Sequence, residues 1–137
     1  MPEKELVRQK LTKMVTNLNQ LKEIEDYSLE EYLDNFFLSR TTERLIQLLV
    51  ETATDINGHI LVTDFQKSPD SYFESFIQLG EVGVISRELA KELAPSAGIR
   101  NRLVHEYDEI DDKIIYESVS DAIDLFQKYI NSINCYL

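Results

Sequence analysis

The chain has 137 residues, 43% hydrophobic and 28% charged, with 14 basic against 25 acidic side chains and a formal net charge of −11. That length sets an expectation of one domain, 1–137, with a sizeable core, and no run of 18 apolar residues offers a membrane span. The acidic balance excludes indiscriminate nucleic-acid binding, which needs basic surface, and the lone Cys135 excludes an internal disulfide.

The N-terminus, Met1-Pro2-Glu3-Lys4-Glu5, lacks a basic-then-apolar signal pattern, so a cytoplasmic location is expected. Residues 3–25 carry Leu6, Val7, Leu11, Met14, Val15, Leu18, Leu21 and Ile24 at spacings of three and four, the stripe of an amphipathic helix. Ser28 and Glu31 have the spacing of a capping box, with Tyr27 and Tyr32 placed as a staple, opening a short helix over 29–37. A cap between Ser39 and Thr42 then starts a long helix to about residue 64. Its buried side is Leu45, Ile46, Leu49, Ala53, Ile56 and Ile60. Ser71 and Glu74 form a second capping box, and Gly80 is placed as the stop of the helix that follows.

Ser86 caps the next helix, and Glu88 suits its first turn. Pro95 would remove a hydrogen bond in mid-helix, so it is assigned to the first turn of a separate segment, 95–106. Asp111 or Asp112 caps a last helix to about 134, with Ile115, Val119, Ala122, Phe126, Ile130 and Ile133 inward. No alternating strand pattern competes. The expected fold is all-α, an antiparallel helical bundle of four main helices plus short ones.

Chemistry concentrates in the segment after Pro95. From Ala94 to His105 there is no acid, yet Arg100, Arg102 and one of the two histidines lie there; Glu106, Asp108, Glu109, Asp111 and Asp112 follow. An arginine and a histidine in an acid-free window suit a phosphate. On one helix, Arg100 and His105 diverge by roughly 140° and stand about 7.5 Å apart along the axis, with Asn101 between them. One helix aims both at a single phosphorus with difficulty; two copies across a two-fold axis would pool two of each, so a homodimer is expected. The two histidines and one cysteine are far apart in sequence and form no zinc pattern. No cofactor is called for.

Arg100, four residues, His105, one residue, Tyr107 resembles the signature of the HEPN superfamily, most closely the HepT-like ribonuclease toxins that pair with a minimal nucleotidyltransferase antitoxin, MntA. The segment Arg100 to Asp108 with Ile110-Asp111 is similar to that family's core. So are Ser71-Tyr72-Phe73-Glu74-Ser75-Phe76 with Leu79, and Gly83-Val84-Ile85. The resemblance spans nearly the whole chain. It implies a HEPN-type bundle, an endoribonuclease acting on RNA, Arg100 and His105 as catalytic residues, and Tyr107 as the residue that the antitoxin adenylylates. Asn101 would support the pair.

Against this stand plainer readings: His105 as a satisfied helix-end histidine, Arg100 as an ion-pair arginine, Tyr107 as a lid over the core. The rival function is a non-catalytic helical partner or substrate of a nucleotidyltransferase. Loss of RNA cleavage in a folded His105→Ala variant separates the two. His59, Arg102 and Cys135 receive no role.

Overall fold

A computed structural model describes residues 2–105 and 110–137. Among the described residues, seven helices follow in order: α1 (Pro2–Ile24), α2 (Leu29–Asp34), α3 (Phe36–Phe65), α4 (Tyr72–Glu81), α5 (Arg87–Leu93), α6 (Ser96–His105) and α7 (Asp112–Tyr136). The described residues contain no strand, so the fold is the expected all-α bundle. No helix among them is long and apolar enough to cross a membrane.

The three long helices form the frame. Lys10 of α1 pairs with Asp55 of α3, and the Tyr129 hydroxyl of α7 lies 2.9 Å from the Ala53 carbonyl of α3. At one end, Tyr136 of α7 donates to Asp64 of α3; at the other, the Tyr116 hydroxyl reaches the Tyr27 carbonyl just past α1. These contacts make α3 and α7 parallel to each other and antiparallel to α1. Val7, Leu11, Met14, Leu18, Leu21 and Ile24 of α1 are buried as the stripe requires, whereas Leu6 and Val15 at its margins are exposed. A stripe of eight is wider than two neighbouring helices can cover.

Local capping follows the sequence closely at α2. Ser28 accepts from the Glu31 N–H while Glu31 accepts from the Ser28 N–H, a complete capping box. The next boundary differs from expectation. Asn35, not a residue in 39–42, caps α3, accepting from the Phe37 and Leu38 N–H groups. Ser39 and Thr42 turn back onto the Phe36 and Leu38 carbonyls and are buried inside the helix. So α2 ends at Asp34, and Phe36 and Phe37 open α3 with their rings exposed.

Gly80 also differs. Helix α4 runs through it to Glu81, and the turn is made by Gly83, whose φ of +84° suits glycine. Gly80 is buried because α5 comes close there: a Cβ added at Gly80 would lie 2.6 Å from the Ala90 Cβ. Ser86 then caps α5 by accepting from the Leu89 N–H, and the chain breaks at Ala94–Pro95 before α6, as the proline requires.

Candidate functional site

Helix α6 carries Arg100, Asn101 and His105. Its buried residues Ala97 and Leu103 seat it on the bundle, and Arg100 points into the seam. The Arg100 side chain is only 17% exposed, with Nη2 3.8 Å from Oε2 of Glu51 on α3. That is an ion pair too long for a hydrogen bond. The other Glu51 oxygen accepts from Gln47 Nε2 at 2.7 Å, one turn earlier on α3, which steadies the carboxylate. On the second side, the Tyr72 ring at the start of α4 lies 4.9 Å from the Arg100 Cζ, within cation–π range. Nη1 of Arg100 donates to Asn101 Oδ1 at 3.3 Å, and Nε is buried with no hydrogen-bond partner among the described residues. The guanidinium is thus oriented by three neighbours and saturated by none. An arginine in that state retains donors for an incoming phosphate.

The position of Tyr72 is set from the core. Tyr129 of α7, fully buried, donates to Asn57 Oδ1 at 2.6 Å; Asn57 Nδ2 donates to Ser75 Oγ at 3.1 Å; Ser75 Oγ donates to the Tyr72 carbonyl at 2.7 Å. This chain links α7, α3 and the first turn of α4. Burial pushes the Tyr129 phenol well above its ordinary pKa, so it stays a neutral donor. Ser71 adds a cap to α4 by accepting from the Glu74 N–H.

His105 is the last residue of α6 and is exposed. Tyr107, expected as the modified residue, lies outside the described residues.

The structure therefore joins Arg100 to Asn101 and keeps His105 on the same helix at an exposed end. Sequence reasoning missed Glu51, Gln47 and Tyr72. Tyr72 stood within a segment that carries the resemblance, but Glu51 and Gln47 lie about fifty residues before the motif, outside those segments. Arg102 is exposed on the other side of α6, beside a small cavity of about 150 Å³ lined by Ile99, Ile110 and Ile114. His59 lies about 12 Å along α3 from Glu51. It lines a separate cavity of about 260 Å³ with Lys4, Asp64 and Tyr136.

Comparison with known proteins supplies the family. The chain is 48% identical over 122 residues to the tRNA nuclease HepT of Aphanizomenon flos-aquae, covering 88% of this chain and 82% of that one. It is 27% identical over 103 residues to the mRNA nuclease HepT of Shewanella oneidensis, covering 75% and 77% of the two chains. Its fold matches the solved structure of a tri-AMPylated HEPN toxin of Shewanella oneidensis in complex with an MNT antitoxin. The TM-score is 0.86 at 22% identity, over 94% of this chain and 96% of that one. The family described as ribonuclease HepT-like matches residues 14–133; the chain belongs to that family.

Proposed function

We propose that this protein is the toxin of a toxin–antitoxin pair, an endoribonuclease that cleaves RNA with Arg100 and His105 and is silenced when a nucleotidyltransferase antitoxin of the MntA kind adenylylates Tyr107. The carrying observation is the oriented but unsaturated Arg100 on the helix that ends in His105. The 48% identity to a tRNA nuclease makes tRNA the first substrate to try.

The chemistry needs no group beyond RNA and protein. The RNA 2′-oxygen attacks the adjacent phosphorus as an imidazole removes its proton. The 5′-oxygen leaves with a proton from a second imidazole, giving a 2′,3′-cyclic phosphate and a 5′-hydroxyl. Arg100 holds the non-bridging oxygens and offsets the charge that builds up on them. A homodimer with α6 near its two-fold axis supplies the second histidine and arginine. The exposed Ile114 beside Arg102 supports an apolar face next to the motif. We place its action in the cytoplasm, where tRNA and a cognate antitoxin occur.

The test is incubation of the purified chain with total tRNA in EDTA. Cleavage with cyclic-phosphate ends, abolished in a folded His105→Ala variant, is the expected result. A protein that binds the antitoxin yet leaves every RNA intact is instead the non-catalytic partner.

A further inference from the structure

A second cationic site lies outside the motif. Lys67, Arg87 and Lys91 converge on a cleft of about 590 Å³ between α4, α5 and the loop after α3. Three of the 14 basic residues of a chain with net charge −11 thus share one concavity, with Glu81 the one acid lining it. None of the three cations forms an ion pair among the described residues, whereas Lys10, Arg40, Arg100 and Lys113 all do.

The cleft is built by specific local structure. Lys67 follows the left-handed cap Gln66, and its N–H is anchored to the Leu61 carbonyl at 2.9 Å. Arg87 and Lys91 are four apart on α5 and so share a face. The floor includes Ile77 and Ala90, and the Ala90 side is close to α4 only because residue 80 is glycine. The volume falls in the range that takes a drug-sized ligand, which is the scale of a nucleotide within a longer strand.

We propose that this cleft is a second RNA-binding subsite, in which Lys67, Arg87 and Lys91 hold backbone phosphates of the substrate away from the cleaved bond. The proposal rests on the ribonuclease reading above. Two features favour RNA. A strongly acidic chain repels a polyanion, so affinity must come from local uncompensated cations. At the motif, Arg100 is already partly offset by Glu51. The cleft also shares α4 with the motif: Tyr72 packs on Arg100, while Ile77 and Glu81 wall the cleft about 8–14 Å further along the same helix. Those two residues lie roughly 140–180° around α4 from Tyr72. RNA bound there wraps past the helix, so the cleft acts on substrate affinity and not on the bond-breaking step.

The experiment compares the full chain with a Lys67→Gln/Arg87→Gln/Lys91→Gln variant and a charge-conserving Lys67→Arg/Arg87→Lys/Lys91→Arg variant. Each is measured with total tRNA for cleavage and, in a His105→Ala background, for binding across salt concentrations. The neutral variant should raise KM about tenfold with kcat within about twofold, and lower the log–log salt slope of binding by roughly 2, three phosphates at about 0.7 each. The charge-conserving variant should keep the parent KM. Unchanged KM and slope in the neutral variant, with the parent cleaving normally, overturn the subsite and leave the ribonuclease reading standing. Normal RNA kinetics with lost antitoxin binding assign the cleft to an acidic protein surface and also overturn it. A parent chain that neither binds nor cleaves tRNA removes both.

Discussion

The guanidinium of Arg100 lies 3.8 Å from the carboxylate of Glu51, across the seam between α6 and α3. The pair is loose enough to open for a phosphate and close enough to hold the arginine in one direction. Glu51→Gln keeps an acceptor for Gln47 but removes the charge. Its cost in stability should be about 1 kcal/mol, since the pair is 3.8 Å apart and Glu51 is partly exposed. The kcat on RNA should fall about tenfold as Arg100 loses its orientation, while RNA binding at low salt tightens because a negative charge has left. Single-turnover kinetics with denaturant melts check this; unchanged kcat would remove Glu51 as a positioning residue.

Arg100→Lys keeps the charge but not the planar fork of donors. An ammonium would also alter the cation–π contact with Tyr72. Cleavage should drop by at least about a hundredfold, within the range seen when a charge-stabilising donor is removed. Circular dichroism should be unchanged. Full activity in the lysine variant would mean that a point charge is enough.

The proposed antitoxin arm turns on Tyr107. An added adenylyl group brings a phosphodiester charge and a base beside the acid-free window 94–105. It should compete with RNA for Arg100 and block access to it. Tyr107→Phe should fold, cleave RNA and escape modification by the antitoxin and ATP, as read by peptide mass spectra. An adduct that persists in that variant would move the regulatory site elsewhere.

Tyr129 couples core to site. Tyr129→Phe leaves Asn57 Oδ1 without its buried donor, a loss of about 1–3 kcal/mol. It should also loosen the first turn of α4, with kcat falling alongside the melting temperature. The pH dependence has a definite sign. Burial pushes Tyr32 up to about 12, and Tyr129 is raised as well. Unfolded phenols ionise near 10, so the stability from these groups is complete below about pH 10 and is lost as pH rises past it. Melting temperatures between pH 8 and 11 should fall at the alkaline end, and less steeply in Tyr129→Phe.

Gly80→Ala drives a methyl against the Ala90 Cβ, at 2.6 Å before relaxation. Overpacking there should cost about 1–3 kcal/mol, seen as a lower denaturant midpoint. An unchanged midpoint would show that α5 shifts freely.

Much of this protein was legible along the chain, because the rules involved act within about four residues. Ser28 and Glu31 announce a capping box, Pro95 a break, and the stripe from Val7 to Ile24 a buried face, each by local hydrogen bonding or helical periodicity. The acid-free window with Arg100, Asn101 and His105 was likewise visible as spacing on one helix. Asn35 shows where local rules reach their edge: the cap was expected between Ser39 and Thr42, but those two side chains are buried against the bundle and Asn35 caps α3. Tertiary structure alone brought Glu51 and Tyr72 to Arg100, turned Gly80 from a stop into a contact, and gathered Lys67 with Arg87 and Lys91. Those meetings join residues that lie 10 to 49 positions apart, where no helical period operates and only the packing of whole helices sets which side chains face one another.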